Sequence, residues 1–591
     1  MDSTREKIAR QATKPAPQSG TAVCHDENAP PWVDGWTIGG VLRETTRKFP
    51  DSDADVFCAL GARRTWKQLD EDVDRAARAL LAKGFKPGDH FGVWATNVPE
   101  WVTLQFATAR VGVVLVTINP AYRASELCYT LKQSEIRGLA LVDKFKTSDY
   151  HSTLRDACPT LVEAAAKGDP DGDGELELGA FPKLRWIVSL RGETPAGAIA
   201  WKDFIKDADK VPAAKLAEIE AALEPDDKIN IQYTSGTTGQ PKGATRSHRN
   251  ILLNAYYAGL CQRFTHEDRI CLPVPLYHCF GCVLGTLCSL VHGAAMIFPG
   301  EGFDPGATLK AIEGEKATAL YGVPTMFIAQ IEHEDYSKRN LKSLRTGIMA
   351  GSPCPIELMK RVTGEMGARE ITIGYGQTEA SPLITQTRVD DPLELRVGTV
   401  GRCLPGFEAK IIDPETGVDL GDDKPGELCG RGHGVMIGYY NMPEKTAEAV
   451  DKDGWLHTGD LALRMPNGYF RITGRLRDLI IRGGENIYPR EIEERLYQHP
   501  AVLDVQIVGV PDRKFGEETL AWVKLKAGAT ATDDELKAFC KATLAHFKVP
   551  RYWKFVDSFP TTVTGKIQKF KIREIAIQEL GLQAAASIET A

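Results

Sequence analysis

The chain has 591 residues, of which 43% are hydrophobic and 26% are charged, and its formal net charge is -7. This composition is typical of a globular protein with enough apolar residues for large cores. The negative charge argues against a general binder of nucleic acids or of anionic membranes. The 13 cysteines are scattered along the chain, which favours reduced thiols in a cytoplasmic protein over a disulfide framework. No stretch of about 18 apolar residues occurs, so we expect no transmembrane helix.

Residues 1–35 are predicted to form a disordered tail, because they lack the apolar segment of a signal peptide and carry acidic residues early. From about Trp36 the pattern alternates between helices and strands. Residues 72–84 have the apolar spacing of a helix and end at a glycine, and "HFGVWA" (90–95) predicts a strand. "KINIQY" (228–233) predicts another strand. This alternation indicates parallel sheets covered by helices.

The pattern changes after about Gly398. "GELCGRGHGVMIGYY" (426–440) and "GYFRITG" (468–474) predict short strands with glycine turns, and therefore a β-rich subdomain. From about Arg477 a compact helix-and-strand pattern has the size of a small domain. We therefore expect an α/β fold with a large N-terminal domain of doubly wound sheets at 36–476, which includes the β-rich subdomain. A small α/β domain is expected at 477–591.

The stretch "YTSGTTGQPKG" (233–243) follows a predicted strand and combines glycines, hydroxyl groups and a lysine. Glycines allow backbone N–H groups to converge on phosphate oxygens. The stretch does not match the P-loop G-x-x-x-x-G-K-[ST], since Lys242 follows Pro241 and precedes Gly243. A flexible linker is the alternative, and the strand before the stretch argues against it. The predicted phosphate-binding residues are Thr234, Ser235, Gly236, Thr237, Thr238, Gly239, Gln240, Pro241 and Lys242.

Further motifs follow in a fixed order along the chain. They are "PLYHCFG" (275–281), "AGS" (350–352), "GYGQTE" (374–379), "TGD" (458–460), "GRLRDLIIRGGENIYPREIE" (474–493) and "TGKIQK" (564–569). With the glycine-rich loop they resemble the adenylate-forming superfamily, which contains acyl-CoA synthetases, luciferases and the adenylation domains of peptide synthetases. The resemblance covers about Trp36 to Glu574 and is greatest to fatty-acyl-CoA synthetases of the medium-chain branch.

The resemblance implies a two-step reaction that uses ATP, Mg²⁺ and coenzyme A. A carboxylate first reacts with ATP to form an acyl-adenylate and pyrophosphate, and coenzyme A then displaces AMP. By resemblance Lys566 bridges the carboxylate and the α-phosphate, Thr378 donates to the α-phosphate, and Glu379 helps to hold Mg²⁺. The nucleotide site is completed by Gly351, Ser352, Tyr375, Gly376, Asp460 and Arg475, with Tyr375 stacked on adenine and Asp460 and Arg475 on the ribose hydroxyls.

The second step implies that the C-terminal domain is mobile. By resemblance the hinge is Arg477, where relatives often carry Lys or Asp. Gly483 and Gly484 are small enough to let the pantetheine arm of coenzyme A pass close to the backbone. His278 lies by resemblance near the acyl pocket and gates it; a structural histidine is the alternative.

Several alternatives for the function stay open. Residues 276–290 contain no acidic side chain for the ammonium of an amino acid, so a medium-chain fatty acid is favoured and an aryl acid is the alternative. A non-catalytic protein that binds acyl-nucleotides is a second alternative, but the presence of Lys566, Glu379 and Asp460 argues against it. A luciferase-like oxygenase would share all the motifs.

Three further patterns are given weaker interpretations. Cys279 and Cys282 form a CxxC without a second ligand pair, which favours buried thiols over a zinc site. Residues 169–180 begin like an EF-hand loop but carry Ala180 at the twelfth position, so an acidic surface loop is favoured over calcium binding. "HFKVPRYWKFV" (546–556) predicts core or a docking site for coenzyme A phosphates, with weak peripheral membrane contact as the alternative. A monomer or a homodimer is expected.

Overall fold

The computed structural model describes residues 27, 29–161, 175–234, 241–483, 485–562 and 565–583. Most of the predicted phosphate loop (235–240), Gly484 and the acidic stretch 169–174 lie outside the described residues. Of the predicted N-terminal tail, residues 27 and 29–35 are described, and Val33 is buried. Within the described ranges, no helix is both long enough and apolar enough to span a bilayer.

Two large mixed sheets form the centre of the molecule, as the alternating pattern predicts. Their inner strands are parallel, and antiparallel strands lie at both edges of the first sheet and at one edge of the second. In the described residues the first sheet has nine strands, in the spatial order Arg402–Cys403, Leu383–Gln386, Glu370–Gly376, Thr346–Ala350, Ala319–Gly322, Arg269–Cys271, Ala295–Phe298, Asp53–Phe57 and Ala62–Thr65. The second sheet has eight, in the order Gly438–Tyr439, Lys242–Ser247, Lys228–Thr234, Val114–Thr117, His90–Trp94, Gly138–Val142, Trp186–Arg191 and Ile199–Ala200.

A third, antiparallel sheet packs against one end of the first sheet. Leu428, Leu456 and Phe470 from this sheet share one hydrophobic core with Ile384 of the first sheet. This sheet confirms the predicted β-rich region. Its described strands are, in order, Phe407–Ile412, Gly426–Gly432, Leu456–Arg464 and Phe470–Arg475.

A fourth sheet lies in the C-terminal part of the chain and is covered by helices on both faces. One face packs on the core that contains Ile492 and Leu536, and the other on the core that contains Ile572. The predicted elements of this region are therefore confirmed. Its described strands are Glu485–Ile487, Ile480–Arg482, Gly516–Leu525 and Val502–Asp512 in order, with Tyr552–Phe555 beside Gly516–Leu525. A small separate ribbon pairs Lys144–Phe145 with Ser148–Asp149.

The helix Trp66–Ala82 shows how local sequence sets the helix ends. It begins at Thr65, whose hydroxyl accepts from the N–H of Gln68 while the Gln68 side chain accepts in return, a capping box. It ends just before Gly84, whose φ of +74° favours glycine. The other described α-helices are Ile38–Lys48, Pro99–Arg110, Ala124–Gln133, Tyr150–Ala157, Trp201–Lys206, Ala213–Ala222, His248–Cys261, Cys279–Gly281, Cys288–His292, Pro305–Glu315, Pro324–Ile331, Ile356–Gly364, Leu393–Gly398, Pro443–Ala449, Pro489–Tyr497, Asp533–Lys541 and Lys569–Glu579. Shorter 3₁₀ turns are Cys58–Leu60, Asp207–Lys210, Tyr336–Lys338, Thr378–Ala380, Leu476–Asp478 and His546–Lys548, and Cys282–Leu287 is a π-helical turn.

Candidate active site

The carboxyl ends of two strands, one from each large sheet, meet at the candidate site. Lys228–Thr234 ends at Thr234, and Glu370–Gly376 leads into the 3₁₀ turn that carries Glu379. The Thr234 hydroxyl lies 3.5 Å from Oε1 of Glu379 and donates to it. Because ligands of open α/β sheets bind at the carboxyl ends of strands, this junction is the expected place for a ligand.

The carboxylate of Glu379 is buried at the junction between the two strands and accepts hydrogen bonds from the hydroxyl groups of Thr234 and Tyr439. Its Oε1 accepts a 2.7 Å hydrogen bond from the Tyr439 hydroxyl. The Tyr439 ring also carries the Lys242 ammonium at 4.3 Å from its centroid. Tyr439 was not predicted from sequence; it reaches the site because its strand pairs with Lys242–Ser247.

The predicted ribose residues are brought together by the register of two strands. Asp460 lies opposite Arg475 across the third sheet. Nε of Arg475 is 2.9 Å from Oδ1 of Asp460, and the Tyr375 hydroxyl donates to Oδ2 at 2.8 Å. Burial is the largest single influence and disfavours the charge of Arg475, but Asp460, Asp478 and other nearby groups together outweigh it and raise the pKa of the guanidinium. The structure thus orients both oxygens of the Asp460 carboxylate, while the stacking of adenine on Tyr375 stays a prediction.

Lys566 approaches the Asp460–Arg475 pair from the C-terminal part of the chain. Its carbonyl accepts from the N–H of Thr562 at 2.7 Å, and its own N–H donates to the Thr562 hydroxyl at 3.1 Å. The pKa of Lys566 is lowered to about 8. Removal from water is the largest cause, and the positive charge of Arg475 adds to it, while Asp460 acts in the opposite direction. The Lys566 ammonium therefore lies within electrostatic range of the Asp460–Arg475 pair.

Two contacts dock the C-terminal region on the large sheets. Thr325 lies at the start of the helix Pro324–Ile331, which follows the strand Ala319–Gly322 of the first sheet. Its hydroxyl donates to the carbonyl of Gly565 at 3.0 Å. Gly565 has a φ of +78°, and a Cβ there would lie 2.9 Å from the Thr325 hydroxyl, so the close approach requires glycine. Arg490 donates to the carbonyl of Cys354 at 3.1 Å. The turn that carries Lys566 is therefore held against the nucleotide side of the molecule.

The predicted residues Gly351, Ser352 and Gly376 follow the ends of strands in the first sheet. Gly351 has a φ of +85°, a conformation that glycine adopts without strain. At Gly376 a Cβ would lie 1.9 Å from the carbonyl oxygen of Pro382, so no side chain fits there. Ser352 is half-buried beside them. Their contact with a nucleotide stays a prediction.

His278 and Thr378 lie on either side of a buried thiol. His278 is the N-cap of a short helix, and its Nδ1 accepts from the N–H of Phe280 at 3.1 Å. The Cys279 sulfur lies 3.6 Å from that Nδ1 and 3.7 Å from the Thr378 hydroxyl. Cys279 and Cys282 are both buried free thiols, as predicted. The gating role of His278 stays a prediction.

Arg246 is a buried cation that sequence reasoning missed. It is fully buried on the strand Lys242–Ser247 and donates to the side chains of Asn230 and Gln232. Its Nε and Nη1 have no hydrogen-bond partner among the described residues. Burial lowers its pKa, and Glu379 is among the groups that oppose this shift. The sequence pattern that could have pointed to Arg246 is "KGATRS" (242–247), in which a charged residue interrupts a strand that follows the glycine-rich loop.

The predicted hinge residue Arg477 lies close to this cluster, since its charge acts on Lys566, whereas the predicted coenzyme A residue Gly483 follows a strand of the fourth sheet. Arg477 lies in the turn Leu476–Asp478 between the third and fourth sheets, 3.6 Å from the carboxylate of Asp478. Burial lowers its pKa, and the neighbouring charge of Arg475 adds to this effect. Gly483 has a φ of +59° and donates to the carbonyl of Phe515 at 2.8 Å. Gly483 therefore packs within its own domain, and both predicted roles stay predictions.

The donor set fits the ions and ligands that the resemblance implies. Mg²⁺ prefers one or two carboxylates together with phosphate oxygens, and Glu379 supplies a single buried carboxylate surrounded by hydroxyl groups. Within the described residues the cations Lys242, Arg475 and Lys566 converge on the same junction. The fold and the site define an α/β enzyme that binds a polyanionic nucleotide between a large and a small domain.

Family models place the chain more specifically. The model described as "AMP-binding enzyme" matches residues 42–440, and the model described as "AMP-binding enzyme C-terminal domain" matches residues 491–566. The chain belongs to the AMP-binding enzyme family. The family predicted from the sequence motifs is thereby confirmed.

Individual relatives support the same assignment. The chain is 50% identical over 549 residues to YngI of Bacillus subtilis, a candidate acyl-CoA synthetase, with 93% of this chain and 98% of the relative covered. It is 43% identical over 568 residues to the mitochondrial medium-chain acyl-CoA ligase ACSF2 of Danio rerio, with 96% of this chain and 92% of the relative covered.

Solved structures show the same fold. The anthranilate CoA ligase AuaEII in complex with anthranoyl-AMP has a TM-score of 0.79 at 25% identity, with 94% of this chain and 99% of that chain covered. ATP-bound MatB from Rhodopseudomonas palustris has a TM-score of 0.74 at 30% identity, with 91% and 99% covered.

Proposed function

We propose that this protein is an AMP-forming acyl-CoA synthetase that acts on medium-chain fatty acids. The observation that carries the proposal is the convergence of Lys566 with the Asp460–Arg475 pair. A lysine from the small domain beside an oriented acidic ribose acceptor is the arrangement that adenylation of a carboxylate requires. The identity to YngI and ACSF2 supports the acyl-CoA product and the fatty-acid substrate class.

In the first step, a carboxylate oxygen of the acid attacks the α-phosphorus of ATP and pyrophosphate leaves. The two reactants are both anionic, so cations and hydrogen-bond donors must offset their repulsion and stabilise the charge of the transition state. Lys566 supplies an ammonium at this point, and Thr378 supplies a hydroxyl donor. Mg²⁺ held by Glu379 would supply further positive charge to the phosphates.

Asp460 holds the nucleotide in position for this attack. Both of its oxygens are already oriented, one by Arg475 and the other by Tyr375. An ionised carboxylate accepts hydrogen bonds from both ribose hydroxyls. The ribose is thereby fixed while the α-phosphate lies near Lys566.

In the second step, the sulfur of coenzyme A attacks the acyl carbon, its proton is released, and AMP leaves. Lys566 has no role in this step, since no phosphate is transferred. We propose that rotation about Arg477 withdraws Lys566 and brings Gly483 and Gly484 to the site. In the present structure Gly483 contacts its own domain, which fits the arrangement for the first step.

A reducing, cytoplasmic location is also proposed. The described cysteines are free thiols and most of them are buried. Such thiols persist where glutathione keeps proteins reduced.

The substrate class is tested by AMP formation that depends on coenzyme A, measured for straight-chain acids of increasing length and for aryl acids. The proposal predicts the highest kcat/KM for medium-chain acids. The AuaEII neighbour makes aryl acids the informative comparison. A preference for benzoate or anthranilate over every alkyl acid would overturn the fatty-acid assignment while leaving the ligase chemistry intact.

A further inference from the structure

A histidine, a cysteine and a glutamate meet on the third sheet, outside the nucleotide site. Cys429 and His457 are direct cross-strand neighbours, and Glu427 lies two residues before Cys429, where the strand register shifts. Ligand atoms of these residues lie within 4.8 Å of one another. Within the described residues this is the one group of three such side chains close enough to hold a metal ion.

The spacing of the donor atoms is close to that of a tetrahedral metal site. Nδ1 of His457 lies 3.6 Å from the Cys429 sulfur and 3.1 Å from Oε2 of Glu427. Bonds of about 2.0–2.3 Å to a tetrahedral zinc ion place neighbouring ligand atoms roughly 3.3–3.7 Å apart. Zinc can therefore replace the protons shared within this group once the Glu427 carboxylate moves and its distance from Nδ1 of His457 lengthens.

The surroundings of His457 also favour a metal. Its second nitrogen, Nε2, lies 3.8 Å from Oδ2 of Asp451. This distance is too long for a hydrogen bond, but the carboxylate lies on the side of the ring where a metal-binding histidine usually has its second partner. The Cys429 sulfur and the Glu427 carboxylate are buried, whereas the His457 side chain is 33% exposed and opens the group to solvent.

We propose that Glu427, Cys429 and His457 form a zinc site that inhibits the enzyme. The three residues leave a fourth position for water, as in zinc sites with three protein ligands. The mixed sulfur, nitrogen and oxygen donors suit Zn²⁺ or Co²⁺ far better than Mg²⁺ or Ca²⁺.

The site is connected to the nucleotide site through one hydrogen bond. Oε1 of Glu427 accepts from the N–H of Gly459 at 2.9 Å, and Gly459 directly precedes Asp460. Gly459 has a φ of +68° and therefore holds a tight turn. Zinc on the other oxygen of Glu427 draws the carboxylate away from this N–H and shifts Asp460 relative to Arg475. Zinc binding then weakens the ribose contact.

One factor opposes metal uptake. Burial raises the pKa of Cys429 to about 12, and Glu427 adds to this effect. The metal must therefore displace the thiol proton, and each zinc ion bound releases it to the solvent.

Binding is tested with Co²⁺ on the metal-free, full-length enzyme. A thiolate ligand gives Co²⁺ an intense ultraviolet charge-transfer band, which no oxygen or nitrogen ligand produces. We expect one such band per chain, abolished by equimolar Zn²⁺. Cys429→Ser removes the band, and His457→Gln weakens cobalt binding about tenfold or more. The matched control is Cys403→Ser, which removes a half-buried thiol of the first sheet and should keep the band.

The inhibitory effect is tested by acid-dependent pyrophosphate exchange with and without Zn²⁺. Zinc raises the KM for ATP of the unaltered enzyme, and Cys429→Ser loses this response relative to its own zinc-free rate. A band that survives Cys429→Ser, or no band at a protein concentration well above that of cobalt, overturns the site. A normal band with an unchanged KM for ATP overturns the inhibition. The cobalt measurement needs no acyl substrate, so its outcome is independent of the proposed function.

Discussion

Asp460 and Arg475 lie on neighbouring strands of one sheet, whereas Lys566 lies on a turn of another domain. Strand register sets the distance between the first two residues, and the half-buried Tyr375 holds the carboxylate. Lys566 depends on docking contacts such as the bond from Thr325 to Gly565. One part of the site is therefore built into a sheet, and the other depends on how the C-terminal domain docks.

This difference separates the two steps of the proposed reaction. In the proposed mechanism, residues built into the sheet serve ATP binding throughout the cycle, while the lysine is needed only for the attack on phosphorus. Substitutions in the sheet should change nucleotide binding. Substitutions of the lysine or of its docking contacts should change adenylation alone.

The largest effect is expected for Lys566→Ala. Removal of one transition-state donor lowers the rate by about 10²–10³-fold, so adenylation falls by that factor while thioester formation from synthetic acyl-adenylate stays within a few-fold. The two rates are measured separately, by pyrophosphate exchange and by acyl-CoA formation. Lys571→Ala removes an exposed lysine of the same domain and serves as the control. Equal losses in both steps would contradict the division of roles.

Asp460→Asn should have the next largest effect. The amide keeps the size of the side chain but loses one acceptor, and hydrogen bonds to charged groups contribute about 1.5–3 kcal/mol. We therefore expect the KM for ATP to rise about tenfold to a hundredfold with little change in the KM for the acid. Asp422→Asn breaks an exposed pair with Arg464 at the edge of the same sheet and should change neither. An unchanged KM for ATP in Asp460→Asn would argue against ribose contact.

The pH dependence of adenylation should follow Lys566. Its pKa of about 8 means that the ammonium is charged below this pH and neutral above it. The kcat/KM for adenylation reports groups of the free enzyme and should therefore fall as the pH rises through about 8. Lys566→Arg keeps the charge at all these pH values. Its slower reaction should lack the alkaline decline, and persistence of the decline would assign it to another group.

Thr325→Val should give the smallest effect. It removes the hydrogen bond to Gly565, a net loss of about 0.5–1.5 kcal/mol, and so lowers adenylation about two- to tenfold by weakening the docked arrangement. Thioester formation from acyl-adenylate should not fall. Parallel assays of the two half-reactions measure this. A fall in thioester formation alone would show that the hydrogen bond from Thr325 to Gly565 stabilises the domain arrangement of the second step instead of the first.

The motifs predicted the residues of the site better than they predicted the contacts between them. The strand "KINIQY" (228–233) and the helix around 72–84 were predicted because their apolar periodicity is local. Asp460, Arg475 and Lys566 were proposed from motifs, and the structure brings them together. Their roles stay proposals.

Other features could not be predicted because they depend on contacts between distant parts of the chain. Tyr439 reaches Glu379 only through strand pairing. The burial of Arg246 depends on how the second sheet packs against the segment that contains Cys279 and Cys282. The cluster around His457 requires a register shift between two strands. A local pattern can mark a charged residue within a strand, as at Arg246, but it does not specify which distant groups that residue meets.

The most direct test of the proposed chemistry is the exchange of labelled pyrophosphate into ATP in the absence of coenzyme A. The protein should catalyse this exchange when a medium-chain fatty acid and Mg²⁺ are present, and not when the acid is omitted. Failure to catalyse exchange with any alkyl or aryl acid would contradict the formation of an acyl-adenylate.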